Sequence, residues 1–338
     1  MLDSSPVRVS TTGTTVLRRS DVAGLLSMKD CIDAVERAFA DHANGKTIPP
    51  AVLGVHVDGG GFHVKTAGLA EPGRFVAKIN ANFPANPAAF GLPTIQGILA
   101  LFNAADGRVL ALMDSIEITS LRTAAATAVA ANHLAPERAA VTIVGCGEQS
   151  RYQLRALACV RSIERVRAFD IDRSRATRFA TDAKRQLGLD VSLLNNLRDA
   201  ASETTIWITC TSARRWFLGR EHVAPGAFVA AVGADNPEKQ EIEPELLATS
   251  AVVADIVEQC ATIGDLHHAI ATGVMSRSDV RAELADVVTG RKPGRLSNDD
   301  IVVFDSTGTA LQDVAAASLV YDRALATECG HMVDLGTP

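Results

Sequence analysis

From residue 141 onward the chain repeats one pattern, a short apolar run followed by a helical or loop segment. The runs cover 141–145, 166–171, 191–194, 205–210, 228–233, 251–255 and 301–305. A strand buried on both faces reads as such a run, and a parallel neighbour is reached only through a long crossover. This alternation predicts an α/β fold built on a Rossmann-type doubly wound parallel sheet. The chain is 338 residues long, more than one typical domain of roughly 150 residues holds. Apolar residues make up 47% and aromatic residues only 4%. Alanine, valine and leucine must therefore fill the cores, which suits helices laid closely on a sheet.

The first third has a different rhythm. Ser27 and Asp30 have the spacing of a capping box, and Ile32, Val35, Ala38 and Phe39 then share one face of a helix expected over 28–43. Gly45 ends it, and Pro49-Pro50 opens an extended stretch through Val52, Val55 and Val57 to the turn Asp58-Gly59-Gly60-Gly61. Alternating segments at 62–66 and 75–79, continued by 98–102 and 109–113, predict an antiparallel or mixed sheet. An alanine-rich helix over 118–134, with Ser115 or Thr119 as cap and Pro136 closing it, is expected to join the two parts rigidly.

The net charge of −6, with no run of Lys or Arg beyond two, argues against nucleic acid as a partner. Residues 1–15 lack the apolar centre of a signal peptide, and no window approaches 18 uninterrupted apolar residues, so neither export nor a membrane span is expected. A cytoplasmic protein is the expectation. The six cysteines are scattered without a Cys-x-x-Cys pair, which predicts reduced, mostly buried thiols and no metal site.

Gly145-Cys146-Gly147-Glu148-Gln149-Ser150 directly follows the run Val141-Thr142-Ile143-Val144. In such a turn the first Gly permits the bend, the second lets backbone approach a pyrophosphate, and a small third residue, here Ser150, lets helix pack on strand. A helix expected over 148–160 aims its amino end at the phosphates. The next run ends at Asp170, placed to hydrogen-bond a ribose diol and to repel a 2′-phosphate. NAD is therefore the expected cofactor. Arg173 and Arg175 just beyond leave NADP possible.

Three further segments carry a resemblance. They are Leu121-Arg122-Thr123-Ala124-Ala125-Ala126-Thr127, Ala231-Val232-Gly233-Ala234-Asp235-Asn236-Pro237-Glu238-Lys239-Gln240-Glu241, and Phe304-Asp305-Ser306-Thr307-Gly308 with Gln312-Asp313. In this order the chain resembles the ornithine cyclodeaminase/μ-crystallin family over nearly its full length. The resemblance implies an N-terminal α/β substrate-binding and dimerisation domain over 1–120, to which 306–338 return, and an NAD-binding domain over 121–305. It implies a homodimer with its site in the cleft between the domains. The implied activity is hydride transfer at the Cα–N bond of a small α-imino or amino acid.

The same resemblance gives Lys78 and Arg122 as ligands of the substrate carboxylate and Asp235 as the group that manages the nitrogen's proton. Lys78 and Asp235 are thus the catalytic candidates. It places Thr94 on the cofactor. Residues expected to line the cofactor site are Arg122, Thr123, Gly145, Cys146, Gly147, Glu148, Gln149, Asp170, Arg173, Thr211, Ser212, Asp235, Ser306 and Gly308. Two departures stand out. Bacterial members carry an Arg after the Pro pair where this chain has Ala51, and cyclodeaminases carry an acid where it has Lys65. Lys65 is expected either to replace the missing Arg or to meet a second acidic group on the substrate. His63, on the same strand face, is a weaker candidate, and His267-His268 are expected to be structural.

An imino acid reductase or amino acid dehydrogenase is the leading expectation. The alternative is an ornithine-type cyclodeaminase, which recycles NAD and releases ammonia; a third reading is a cofactor-binding protein without catalysis, against which Lys78, Arg122 and Asp235 argue. The substrate itself stays open.

Overall fold

The structure is a computed structural model and describes residues 13–335. Residues 1–12, most of the stretch read above for a leader, lie outside the described residues. The first part runs β1 (Thr14–Leu17), α1 (Arg19–Leu25), α2 (Met28–Ala43), β2 (Thr47–Val57), β3 (Gly60–Leu69), β4 (Arg74–Asn82) and α3 (Asn86–Phe90). It continues through β5 (Ile95–Asn103), β6 (Val109–Asp114) and α4 (Ser115–Leu134). Then come β7 (Ala139–Val144), α5 (Glu148–Val160), β8 (Ile163–Phe169), α6 (Arg173–Leu187), β9 (Val191–Leu193), β10 (Ile206–Thr209), β11 (Arg214–Leu218) and β12 (Phe228–Ala231). The last part holds β13 (Gln240–Ile242), α7 (Pro244–Ala248), β14 (Ala251–Ala254), α8 (Val257–Ile263) and α9 (Asp265–Ala271). It ends with β15 (Ala282–Glu283), α10 (Leu284–Val288), β16 (Val302–Asp305), α11 (Ala310–Ala326) and β17 (His331–Val333).

The first sheet has the order β17-β1-β6-β5-β4-β3-β2 and is mixed, since β1 pairs parallel with β6 while the other pairs are antiparallel. One face is covered by α11 lying over β3 and β4, with α4 over β5. On the opposite face Leu53, Val64, Ile79 and Ile98 stand in one register row across four strands. Leu53, Ile79 and Ile98 are exposed there, as are Val55 and Phe62 beside them.

The second sheet is parallel throughout, in the order β15-β14-β16-β12-β10-β7-β8-β9. From β7 the chain first moves outward to β8 and β9, then returns to β10 on the other side. That reversal opens a crevice above the carboxyl ends of β7 and β10, where ligands of such sheets bind. Helix α4 is buried on nearly every side, with Ala124, Ala125, Ala126, Ala128, Ala130 and Ala131 fully inaccessible. Small side chains are what let one helix pack against neighbours all round.

Several expectations need correcting in detail. Helix α4 starts at Ser115 rather than 118, and its cap is Asp114, whose carboxylate accepts the Ile116 N–H, not Ser115 or Thr119. The strand expected to reach 171 stops at Phe169 because the Asp170 side chain turns back to accept the Asp172 N–H. Strands β1, β11, β13, β15 and β17, two to five residues each, are too short for periodicity to reveal. Of the six thiols, Cys31, Cys146 and Cys260 are buried and Cys159 is exposed; none is paired.

Candidate active site

A cleft of about 590 Å³ lies over the crevice and reaches the covered face of the first sheet. Its first limb is shaped by the turn after β7. Gly145 has φ of +90°, and a Cβ there would sit 2.7 Å from Thr211 Cγ2 and 2.8 Å from the Cys210 carbonyl oxygen. Only glycine fits such a place. Gly147 caps α5 without any side-chain hydrogen bond, and a Cβ on it would meet nothing within 4 Å. Gly147, Glu148 and Gln149 at the first turn of α5 line the cleft, and the amides that a helix start leaves without an intrahelical partner are what an anionic pyrophosphate needs. Ser150, buried, ties its hydroxyl to the Gly147 carbonyl at 2.6 Å and keeps helix and turn together.

Asp170 forms the edge of this limb. Its Oδ2 accepts the Cys146 N–H at 2.7 Å and its Oδ1 the Asp172 N–H at 2.8 Å, so the carboxylate is fixed where a ribose would lie. Glu148, Gln149 and Gly147 line the cleft beside it, and Thr211 and Ser212 line it from the end of β10. Some expected residues stand elsewhere. Cys146 contributes backbone only, since its thiol points at the Phe169 carbonyl and burial pushes its pKa up to about 12. Arg173 donates to Asn195 Oδ1 at 2.7 Å and does not line the cleft; Arg175, near Asp172, does. Thr94 is also outside the lining, its carbonyl taken by the Phe83 N–H, and the neighbouring Ile95 lines the cleft instead.

The second limb gathers cations. Lys65 on β3 and Lys78 on β4 are register partners on the covered face, and Arg122 and Thr123 come from α4. All three cations are buried. Lys78 Nζ lies 2.9 Å from Oδ1 and 2.7 Å from Oδ2 of Asp313, at the start of α11. Arg122 Nε meets Asp313 Oδ1 at 2.9 Å, and its Nη1 donates to Gln312 Oε1 at 2.8 Å. Burial works against charge on Asp313, but Arg122 and Lys78 more than offset it and hold its carboxyl below the usual range. Lys78 does not itself line the cleft; it stands behind Arg122 and shares the carboxylate that aims it. Asp313, quoted above only within a motif, is thus the organising acid.

Burial, with Arg122 next, pushes Lys78 down to about 7, and Asp313 restores only part of the loss. Because this value is lowered, the protonated lysine is present below about 7 and disappears as pH rises through it. Its charge adds, from behind Arg122, to the positive potential that draws a substrate carboxylate into the cleft, so kcat/KM is expected to fall as pH rises past neutrality, and Lys78→Arg to shift that limb to higher pH. A pH–rate profile of the wild type that stays flat from neutral to mildly alkaline pH contradicts this.

Lys65 donates to the carbonyl oxygens of Thr307 at 3.0 Å and Gly308 at 2.7 Å, and lines the cleft with Ser306 and Gly308. A Cβ on Gly308 would touch Arg122 Nη1 at 2.4 Å, so Lys65 and Arg122 flank the same glycine. Ala51 sits exposed on β2 opposite Thr66, and no cation stands in its place. Asp235, just past β12, projects into the cleft with 43% of its side chain accessible and meets Lys239 Nζ at 2.6 Å. Burial opposes its charge, while Lys239, Lys65 and His63 together lower its pKa. His63 is half-buried and lies within the field of Asp235, Lys65 and Lys239; burial lowers its pKa. His268 contacts the Lys239 carbonyl at 2.9 Å and braces the Asp235 loop, a structural part.

Among the described residues, no group of three or more His, Cys, Asp or Glu is arranged to hold a metal, and no helix is long and apolar enough to cross a membrane.

The arrangement matches known proteins along almost its entire length. An alanine dehydrogenase of Archaeoglobus fulgidus is 36% identical over 321 residues, covering 95% of this chain and 98% of its own. A solved archaeal alanine dehydrogenase dimer with bound NAD superposes with a TM-score of 0.91 at 35% identity, over 96% of this chain and 99% of that one. The Δ1-pyrroline-2-carboxylate reductase of Thermococcus litoralis, solved with NADH and L-proline, gives a TM-score of 0.90 at 32% identity, over 95% and 100%. The profile of the ornithine cyclodeaminase/mu-crystallin family matches residues 12–328. With a Gly-x-Gly crevice, a buried Lys-Arg-Asp cluster and an acid facing both, this chain belongs to the ornithine cyclodeaminase/mu-crystallin family.

Proposed function

We propose that this chain is an NAD-dependent oxidoreductase acting at the Cα–N bond of a small α-imino or amino acid. One observation carries the reading: Arg122, Lys65 and Asp235 open onto the same cleft as the Gly145–Gln149 turn and Asp170. Bound NADH supplies the hydride. The chain's own residues do the rest. Arg122, held by Asp313 and Gln312, and Lys65, on the other side of Gly308, grip the substrate carboxylate. Lys65 so replaces the cation that Ala51 does not provide. Asp235 stands on the open side, where it holds an iminium nitrogen or takes a proton from an ammonium. Burial of Arg122, Lys65 and Asp313 keeps these charges in a medium where they act strongly.

The same residues would serve a cyclodeaminase, but a second cation in the cleft opposes a substrate with a positively charged side chain. Absorbance at 340 nm, followed with pyrroline-2-carboxylate, piperideine-2-carboxylate, iminosuccinate, ornithine and alanine, separates the two. Steady net oxidation of NADH with an imino acid supports the reading. Ammonia release from ornithine without net absorbance change overturns it.

Asp170 should set the cofactor preference, since its fixed carboxylate repels a 2′-phosphate. Asp170→Ser is expected to raise KM for NADH and lower that for NADPH, with Arg175 available to the phosphate. An unchanged KM ratio would count against Asp170.

Residues 1–120 with 306–338 form, in this reading, the substrate-binding and dimerisation unit and 121–305 the dinucleotide unit; the packing of α11 on β3 and β4 supports the return of the C-terminal segment. The exposed row Leu53, Ile79 and Ile98 supports a homodimer in which a second copy covers that face. Light scattering measures this directly. Six unpaired cysteines fit a reducing, cytoplasmic setting.

A further inference from the structure

The loop that carries Asp235 ends in an acid that the proposed chemistry does not use. Glu241, in β13, is fully inaccessible and does not line the cleft. Its Oε1 accepts the Thr211 N–H at 2.6 Å, and its Oε2 accepts the Gly233 N–H at 2.8 Å and the Thr209 hydroxyl at 2.6 Å. Thr211 follows β10 and Gly233 follows β12, so one carboxylate crosslinks the ends of two adjacent strands just where the cleft begins. Both amides lie past the ends of their strands; that of Gly233 is buried and that of Thr211 partly so, and each would otherwise be a donor short of a protein partner.

Glu241 is itself locked. Its backbone N–H and that of Ile242 both donate to Asp265 Oδ1, at 2.8 and 2.9 Å. The fit is close, since a Cβ on Gly233 would lie 2.4 Å from the Glu241 carboxyl carbon. Thr211 in turn presses on Gly145, and Asp235 is two residues past Gly233. The crosslink therefore touches the phosphate turn on one side and the proton-handling acid on the other. Burial pushes the Glu241 pKa up, and the donors from Thr209, Thr211 and Gly233 oppose that rise.

We propose that Glu241, seated by Asp265, is a positioning residue that fixes the ends of β10 and β12 and thereby sets Asp235 and Thr211 at their places in the cleft. This rests on the reading that Asp235 acts on the substrate nitrogen. A carboxylate is required because both of its oxygens must accept. In Glu241→Gln one of them becomes an NH2 that faces a backbone or hydroxyl donor, so one strand end is released while size and packing are kept.

The test has two arms, each applied to Glu241→Gln and to Asp265→Asn, with thermal melts confirming that the variants fold. Amide hydrogen exchange of the cofactor-free protein is expected to show Thr211 and Gly233 protected in the wild type, and one of them exchanging much faster in Glu241→Gln. Kinetics with the best imino acid substrate are expected to show kcat falling about tenfold to a hundredfold, the loss typical of a misplaced reacting group. KM should change little, and the isotope effect with NADH deuterated at both C4 positions should increase as hydride transfer becomes limiting. Unchanged exchange at both amides, or a folded Glu241→Gln with wild-type kcat and isotope effect, overturns the proposal. If the wild type reduces no imino acid, the functional reading fails, while the exchange arm still decides whether Glu241 holds the strand ends.

Discussion

Asp313→Asn is expected to lower the stability of the folded chain by about 3–5 kcal/mol, the cost of leaving buried charges without their counter-ion. The carboxylate is fully buried and bonds two cations, Lys78 and Arg122, both of which are themselves almost inaccessible. Asparagine keeps the size but supplies neither charge nor a second acceptor. Two like charges then face each other in a medium that screens them poorly. Lys78 can escape by losing its proton, helped by a pKa already pushed down to about 7 by burial and by Arg122. Arg122 cannot escape, because guanidinium stays charged at any working pH. Adding Lys78→Met to Asp313→Asn should therefore recover part of the lost stability, with a clear coupling term in the double-mutant cycle. Urea unfolding of the four proteins measures it. Additive losses, or an Asp313→Asn protein as stable as the wild type, would show that the pair contributes nothing. The same variant should lose kcat/KM, because Gln312 alone then orients Arg122.

Asp235→Asn is expected to do the reverse, harming catalysis while sparing the fold. Its side chain keeps 43% of its surface open to the cleft, and its partner Lys239 is on the same loop. An ion pair that open is worth at most about 1 kcal/mol. If Asp235 handles the proton on the substrate nitrogen, removing its charge should reduce kcat by roughly 10²- to 10⁴-fold, the usual contribution of a positioned acid or base. Binding of NADH should persist, since the turn after β7 and Asp170 are untouched; quenching of protein fluorescence by NADH follows it. A variant with wild-type kcat removes Asp235 from the chemistry, and one that no longer binds NADH assigns it to the cofactor instead.

Much of this molecule was legible from residue order, and the reason differs between elements. The parallel sheet announced itself because strands buried on both faces must be apolar throughout, and all seven expected runs became strands of one sheet. Helix α2 fell on Met28–Ala43, as its capping box and apolar face required, with Ser27 accepting the Asp30 N–H. The phosphate turn was readable because a conformation reserved for glycine leaves glycine in the sequence, as Gly145 shows. Less legible was which of two neighbours lines the cleft. Arg173 and Arg175 are equivalent as letters, yet only the second lines the cleft, while the first donates to Asn195 Oδ1. Thr94 and Ile95 are adjacent, yet β5 begins only at Ile95, and it is Ile95 that lines the cleft.

The sequence by itself determined the local periods, the turn chemistry and the set of charged residues available to the site. Tertiary structure alone decided who partners whom. Lys78 meets an acid 235 positions away, Arg122 one 191 away, and Lys65 a carbonyl 242 away, because α11 returns across β3 and β4 after the whole second sheet has been built. Glu241 likewise looks like a surface acid in a loop until β10 and β12 lie side by side and leave two amides needing an acceptor. Local pattern fixes what each segment is, but a buried charge is satisfied only by what the fold brings against it, and that is a property of the topology.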